Sequence, residues 1–142
     1  MSDHTSDSVA QRFADEWNKG NLEGAIALFD DNYIDHNAAP GQKPGKAGLR
    51  ESLDMFMTAF PDLKLEHSHV TMEGDRVADH GIARGTHRGN FLGVAPTGKR
   101  VEVSYTDIYR VKNGKITEAW HIEDIPGLMR QIGAMPDPTQ AH

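Results

Sequence analysis

The chain has no cysteine among its 142 residues, which excludes disulfides, thiolate nucleophiles and thiolate metal ligands. It has no excess of positive charge: 15 Lys and Arg stand against 21 Asp and Glu, a net charge of −6. Nucleic-acid binders usually carry a basic face, so no nucleic-acid partner is expected. No apolar run approaches the roughly 20 residues a membrane-spanning helix needs, and no membrane partner is expected. The first eight residues are polar and lack the apolar segment of a signal peptide, so the expected location is cytoplasmic. Internal repeats and dividing linkers are absent too. One domain is expected over 8–134, with flexible tails at 1–7 and 135–142. A chain of this size buries roughly 68–70% of its unfolded surface, enough for one core.

What is present is ordered in two blocks. Asp7 or Ser8 can cap a helix whose apolar face carries Val9, Phe13 and Trp17, ending at Lys19-Gly20. Asn21 can cap a second helix with Leu22, Ala25, Ile26 and Phe29. Tyr33 to Asn37 reads as a short extended segment, followed by a Pro/Gly-rich loop. A third helix runs from about Lys46 to Ala59 and is stopped by Pro61. Four strands follow, over 63–72, 76–86, 99–111 and 115–124, with Asn113-Gly114 a strong hairpin signal. A short helix can close the chain over 125–132. Helices first and an antiparallel sheet second is an α+β order, and the three helices must cover one face of the sheet.

The stretch from Gly85 to Lys99, with its core His87-Arg88-Gly89-Asn90-Phe91-Leu92-Gly93, resembles the signature loop of SnoaL-like polyketide cyclases, also called predicted ester cyclases. Tyr33-Ile34-Asp35-His36-Asn37, Phe60-Pro61-Asp62-Leu63, Asn113-Gly114-Lys115-Ile116, Trp120 with Asp124, and Gln131-Ile132-Gly133 match in the same order. The resemblance implies the cone-shaped fold of nuclear transport factor 2, with three N-terminal helices on a curved, mainly antiparallel sheet. It implies a cofactor- and metal-free intramolecular aldol closure of a polyketide-like ester, or isomerase-type proton transfer. A non-catalytic small-molecule-binding module of the same fold is the alternative. The expected ligand is a hydrophobic small molecule, and a homodimer is expected through the uncovered sheet face.

Such a reaction needs a base next to a carbonyl and an acid for the resulting alkoxide. One carboxylate in an apolar site can do both, because burial raises its pKa. Alternate residues of a strand share a face, so Asp124 is expected beside Trp120 and Ile122. The resemblance also puts the catalytic Asp in this segment. A second reading makes Asp124 the cap of the helix that follows, with Pro126 in its first turn. His80 is expected to line the cavity as a donor. His36 and Asn37 are candidate ligand contacts or, equally, turn residues ahead of the loop. Met57, Phe60, Phe91, Tyr105 and Trp120 are expected as pocket walls. Asp107, between Tyr105 and Tyr109, is read as an ion-pair partner of Arg84 or Arg110 in preference to a second acid. His67-x-His69-x-x-x-Glu73 has the spacing of a metal-binding β motif, but the leading helices contradict the all-β fold it belongs to, and no metal site is expected.

Overall fold

The computed structural model describes residues 4–135, with side chains from Val9 onward. The expected tails lie outside the described residues, except for residues 4–7, which are already helical, and Met135. The chain forms α1 (His4–Asn18), α2 (Leu22–Ile26), β1 (Phe29–Asp35), α3 (Gly45–Ala59), β2 (Lys64–Glu73), β3 (Arg76–Thr86), β4 (Arg100–Lys112), β5 (Lys115–Glu123) and α4 (Ile125–Gln131). The five strands lie in the order β1-β5-β4-β3-β2. Three of the four pairings are antiparallel; β1 joins β5 in parallel. The expected short extended segment at 33–37 is therefore part of a full strand that starts at Phe29, a residue expected on the second helix, and ends at Asp35.

The helices cover one face of this open sheet. Val9, Ala10 and Trp17 are all at most 5% exposed, which is the four-residue stripe of α1 turned inward. Trp17 Nε1 donates to the Leu63 carbonyl at 3.1 Å, and the Asn18 amide both donates to and accepts from the Leu65 backbone. These bonds pin α1 across the start of β2. At the far end of the sheet the Asn113-Gly114 turn has φ values of 52° and 75°, the left-handed pair of a type I′ hairpin.

The core divides into two clusters. One gathers Phe29, Tyr33, Leu49, Val77, Tyr109, Val111 and Ile116. The other gathers Trp17, Phe60, Leu63, Phe91, Val101, Val103, Leu128 and Ile132. Between them, against the inner face of the sheet, lies a cavity of about 140 Å³, room for roughly ten water molecules.

Two β-bulges decide which residues reach it. In β5, Arg110 pairs with Glu118 but Val111 with Ile116, leaving Thr117 unpaired. An extra residue switches the inward face of a strand. Ile116 is inward on one side of the bulge; Ala119, His121 and Glu123 are inward on the other. In β2, His67 pairs with Gly81 and His69 with His80, leaving Ser68 unpaired.

Candidate functional site

The cavity wall is apolar along most of its length, through Phe13, Trp17, Leu53, Phe56, Phe60, Leu63, Val101, Val103 and Leu128. One patch of it is polar: Tyr33, Asp35, Gln42, Asp107, Tyr109, His121 and Glu123. Sheet register creates this patch. Asp107 on β4 is the cross-strand partner of His121 on β5, and Asp35 at the end of β1 pairs with Ala119, two residues before His121.

His121 is held at both ring nitrogens. Nδ1 lies 2.8 and 3.0 Å from the two oxygens of Glu123, and Nε2 lies 2.9 Å from Asp35 Oδ1. Asn37 Oδ1 accepts from the His121 backbone at 2.9 Å and fixes the strand end. Two carboxylates on one imidazole favour its charged form. The Glu123 hydrogen bond, and then Glu123's charge and Asp35, raise the His121 pKa to about 9 against the opposing effect of burial. At neutral pH this side chain is an imidazolium.

Asp107 behaves in the opposite way. Burial among the apolar walls raises its pKa to about 7, with Glu123's negative charge adding to the rise. His121 and a hydrogen bond with Tyr109 pull the other way. Tyr109 and Tyr33 are themselves pushed above their ordinary range, first by burial and then by these carboxylates, so both stay neutral donors. The patch thus joins a carboxyl group that changes protonation near neutrality to a fixed positive charge. Perturbed titratable groups converging in a cavity are the usual mark of a functional site.

Asp107, His121 and Glu123 each offer a ligand atom within 4.8 Å of the others. Both nitrogens of His121 already face carboxylates, so a cation here would have to replace the Nδ1 proton. The arrangement is that of a half-buried imidazolium between acids.

The sequence-predicted residues divide between the two faces of the sheet. Phe60 and Tyr105 line the cavity. Phe91 is fully buried behind it, packed on Phe56 and Phe60 at 5.4 and 5.3 Å. Met57 packs on the same cluster without lining the cavity. Asp124 is the N-cap of α4: its Oδ1 accepts from Gly127 N at 2.9 Å. It is exposed on the outer face, away from the cavity. The capping reading of Asp124 is the one the geometry carries. Trp120 and Ile122 share that outer face. Trp120 stacks on His36 at 4.5 Å and lies under Arg76 at 5.5 Å, while Ile122 is 70% exposed. His36 is tied to Glu118 at 2.9 Å, and Asn37 serves the strand edge. His80 is also outward, bonded to Thr106 Oγ1 at 2.7 Å.

The alternation of β5 holds, but Trp120 and Ile122, whose apolar bulk looks like core, form its outer half. The helices cover the other face. Asp107 has no ion pair with either expected arginine: Arg84 pairs with Glu66 and Glu102, and Arg110 with Asp75 and Glu118. A signal for Asp107 was available. It shares a face with Val101, Val103, Tyr105, Tyr109 and Val111 along an uninterrupted strand. His67 and His69 do not converge on Glu73: the bulge turns His67 inward to Asp79 at 2.7 Å and leaves His69 exposed beside His80.

A sequence model of the SnoaL-like polyketide cyclase family matches residues 7–132. The chain belongs to this family. Among solved structures, AclR, a candidate hydroxylase from Streptomyces galilaeus, superposes with a TM-score of 0.86 at 28% identity, over 96% of this chain and 89% of that one. A candidate polyketide cyclase from Bacillus cereus gives 0.78 at 31% identity, over 90% and 80%. IdmH, a candidate polyketide cyclase from Streptomyces antibioticus, gives 0.79 at 29% identity, over 92% and 99%. No curated protein matches the chain. The SnoaL-like, nuclear transport factor 2-like fold expected from the sequence is the one present, as four helices on a curved, unclosed mixed sheet.

Proposed function

We propose that this SnoaL-like protein is an enzyme that moves a proton on a hydrophobic, oxygen-bearing small molecule, with Asp107 as general acid/base. The finer reading is an intramolecular aldol closure of a polyketide-like ester, needing no cofactor. The observation that carries it is Asp107 itself: a carboxyl group in an apolar cavity, with a pKa raised to about 7, beside an imidazolium fixed by two acids. A pocket that only bound apolar ligands would gain nothing from this arrangement, since desolvating a titratable group costs stability.

The step balances without an outside reactant. The Asp107 carboxylate takes a proton from the carbon next to a carbonyl, and the electron pair moves onto that oxygen as an enolate. The enolate carbon attacks a second carbonyl of the same molecule and forms the ring C–C bond. The second oxygen becomes an alkoxide and recovers the proton from Asp107. A group titrating near the working pH suits both halves. His121 stays charged throughout. Both of its N–H groups are committed to Glu123 and Asp35, so it contributes field rather than a direct hydrogen bond. Gln42 and Ser52 bring neutral polar groups to the same cavity and are the ligand-oxygen donors on this reading.

The base step can be tested apart from ring closure. A two-ring aromatic keto ester is incubated with the protein in D₂O, and exchange of the proton next to its ketone is followed by NMR. Wild type is expected to accelerate exchange, and Asp107→Asn to abolish it while still binding the ester. Equal exchange by both would remove Asp107 from the role. We also propose a homodimer through the outer face of the sheet, where Ile34, Ile108 and Ile122 are 52%, 38% and 70% exposed.

A further inference from the structure

The reaction above leaves one buried acid unused. Asp79 is 3% exposed on the inner face of β3, and its Oδ1 lies 2.7 Å from His67 Nδ1. His67 Nε2 is buried and makes no hydrogen bond; neither does the buried Tyr105 Oη. These two orphan atoms belong to neighbours. His67 and Tyr105 are the cross-strand partners of Gly81 on its two sides. A Cβ added at Gly81 would sit 2.5 Å from Tyr105 Oη and 2.5 Å from the Glu66 carbonyl. The phenol tip therefore fills the space above Gly81 and leans toward β2, while the Tyr105 ring lines the cavity.

Buried polar atoms without partners are rare and require an account. Here the chemistry is complementary. An acceptor at Asp79 favours the tautomer of His67 with its proton on Nδ1, which leaves Nε2 as an acceptor. The phenol O–H is a donor without an acceptor. We propose that a small rotation of the two side chains, unpaired at these atoms in this structure, brings them together in a buried relay, Tyr105 Oη donating to His67 Nε2 and His67 Nδ1 donating to Asp79, and that it makes Tyr105 and His67 positioning residues for Asp107. The relay rests on the reading of Asp107 as the pocket acid/base only for its purpose; the placement of Tyr105, His67 and Asp79 stands apart from that reading.

The purpose follows from register. Asp79 and Asp107 are cross-strand partners, both turned inward. Two facing carboxylates do not share negative charge comfortably. Burial raises the Asp79 pKa and the His67 hydrogen bond opposes that rise; on this proposal the relay strengthens the opposition, keeps the charge on Asp79 and leaves the exchangeable proton to Asp107. The other titratable groups around Asp107 are Tyr105 and Tyr109 on its own strand, His121 and Glu123 on β5, and Tyr33 and Asp35 on β1. The side chains that α1 and α3 contribute to the cavity are neutral.

Imidazole ¹⁵N NMR of the wild-type protein near neutral pH tests the relay without any mutation. The expected result is a neutral His67 with its proton on Nδ1. An Nε2–H tautomer or an imidazolium would overturn the relay. Tyr105→Phe should shift the Nε2 resonance. No shift would mean that Tyr105 donates elsewhere, to the Glu66 carbonyl for example, and would also overturn it. The positioning role is read from the ¹³C titration of the Asp107 carboxyl. In His67→Phe, Asp79 loses its donor, takes up a proton and no longer repels, so the Asp107 midpoint should fall by about one pH unit. Asp79→Asn should give the same fall while leaving His67 in place, and an unmoved midpoint in Asp79→Asn refutes the positioning role. A wild-type Asp107 that titrates like an ordinary carboxylate would sink the acid/base reading, with the His67 tautomer still reporting on the relay.

Discussion

Asp107→Asn should stabilise this protein at neutral and alkaline pH while abolishing the proton transfer proposed for it. Asp107 is an acid whose pKa rises from 3.8 to about 7 on folding. The folded state then binds its proton more tightly than the unfolded state does. Stability is at its full value below the unfolded pKa and is lost as pH rises through the folded one. A rise of this size is worth roughly 4 kcal/mol at most, and relaxation around the cavity will reduce it to about 2–3 kcal/mol. Asparagine keeps the shape but never ionises, so the variant escapes the loss. The assay is urea unfolding followed by tryptophan fluorescence, with buried Trp17 as reporter, from pH 4 to pH 8. The midpoint of the variant should match wild type near pH 4 and exceed it progressively toward pH 7, with an unchanged slope. A difference between the two proteins that does not vary with pH would refute the assignment, because it would mean that Asp107 ionises in the folded state as easily as in the unfolded one.

The remaining predictions concern its neighbours. His121 has a pKa raised from 6.5 to about 9, so its stabilising contribution, roughly 3 kcal/mol at most, is complete below pH 6.5 and lost through pH 9. His121→Gln should flatten the stability profile over that range, and a wild-type profile already flat between pH 6.5 and 9 would contradict the imidazolium. Asp124→Ala removes the cap on Gly127 N and should cost about 1 kcal/mol, leaving α-proton exchange within twofold of wild type; loss of exchange in a folded variant would return Asp124 to the chemistry. Ile122→Lys on the uncovered face should shift sedimentation velocity from dimer toward monomer, and a wild-type protein that sediments as a monomer would dismiss the dimer.

Much of the fold was legible because it rests on local rules. The stripe of Val9, Phe13 and Trp17, the stop at Pro61 and the Asn113-Gly114 turn each act within a few residues, and each element formed where those signals placed it. The parallel pairing of β1 with β5 was not legible, since it joins segments about 90 residues apart and leaves no local trace. Tyr105 is legible as a pocket wall from the unbroken alternation of β4, and Phe60 from the α3 stripe that it continues as that helix's C-cap. Asp107 stands between two tyrosines on a clean alternation, and its inward position keeps it from Arg84 and Arg110, which pair with other acids.

The sequence by itself determined the family, the order of elements and the split of β5 into two alternating sets, Trp120 with Ile122 and Asp124, and His121 with Glu123. Periodicity alone fixes which side chains travel together. Only the tertiary structure decided which set faces the cavity. The unpaired Thr117 resets the inward face partway along β5, and the helices then cover the side that holds His121 and Glu123. A bulge is defined by the partner strand, and a covered face by the helices packed on it. Neither is a property of the strand's own residues, so His121 and Glu123 could be assigned to the cavity only once the sheet was assembled.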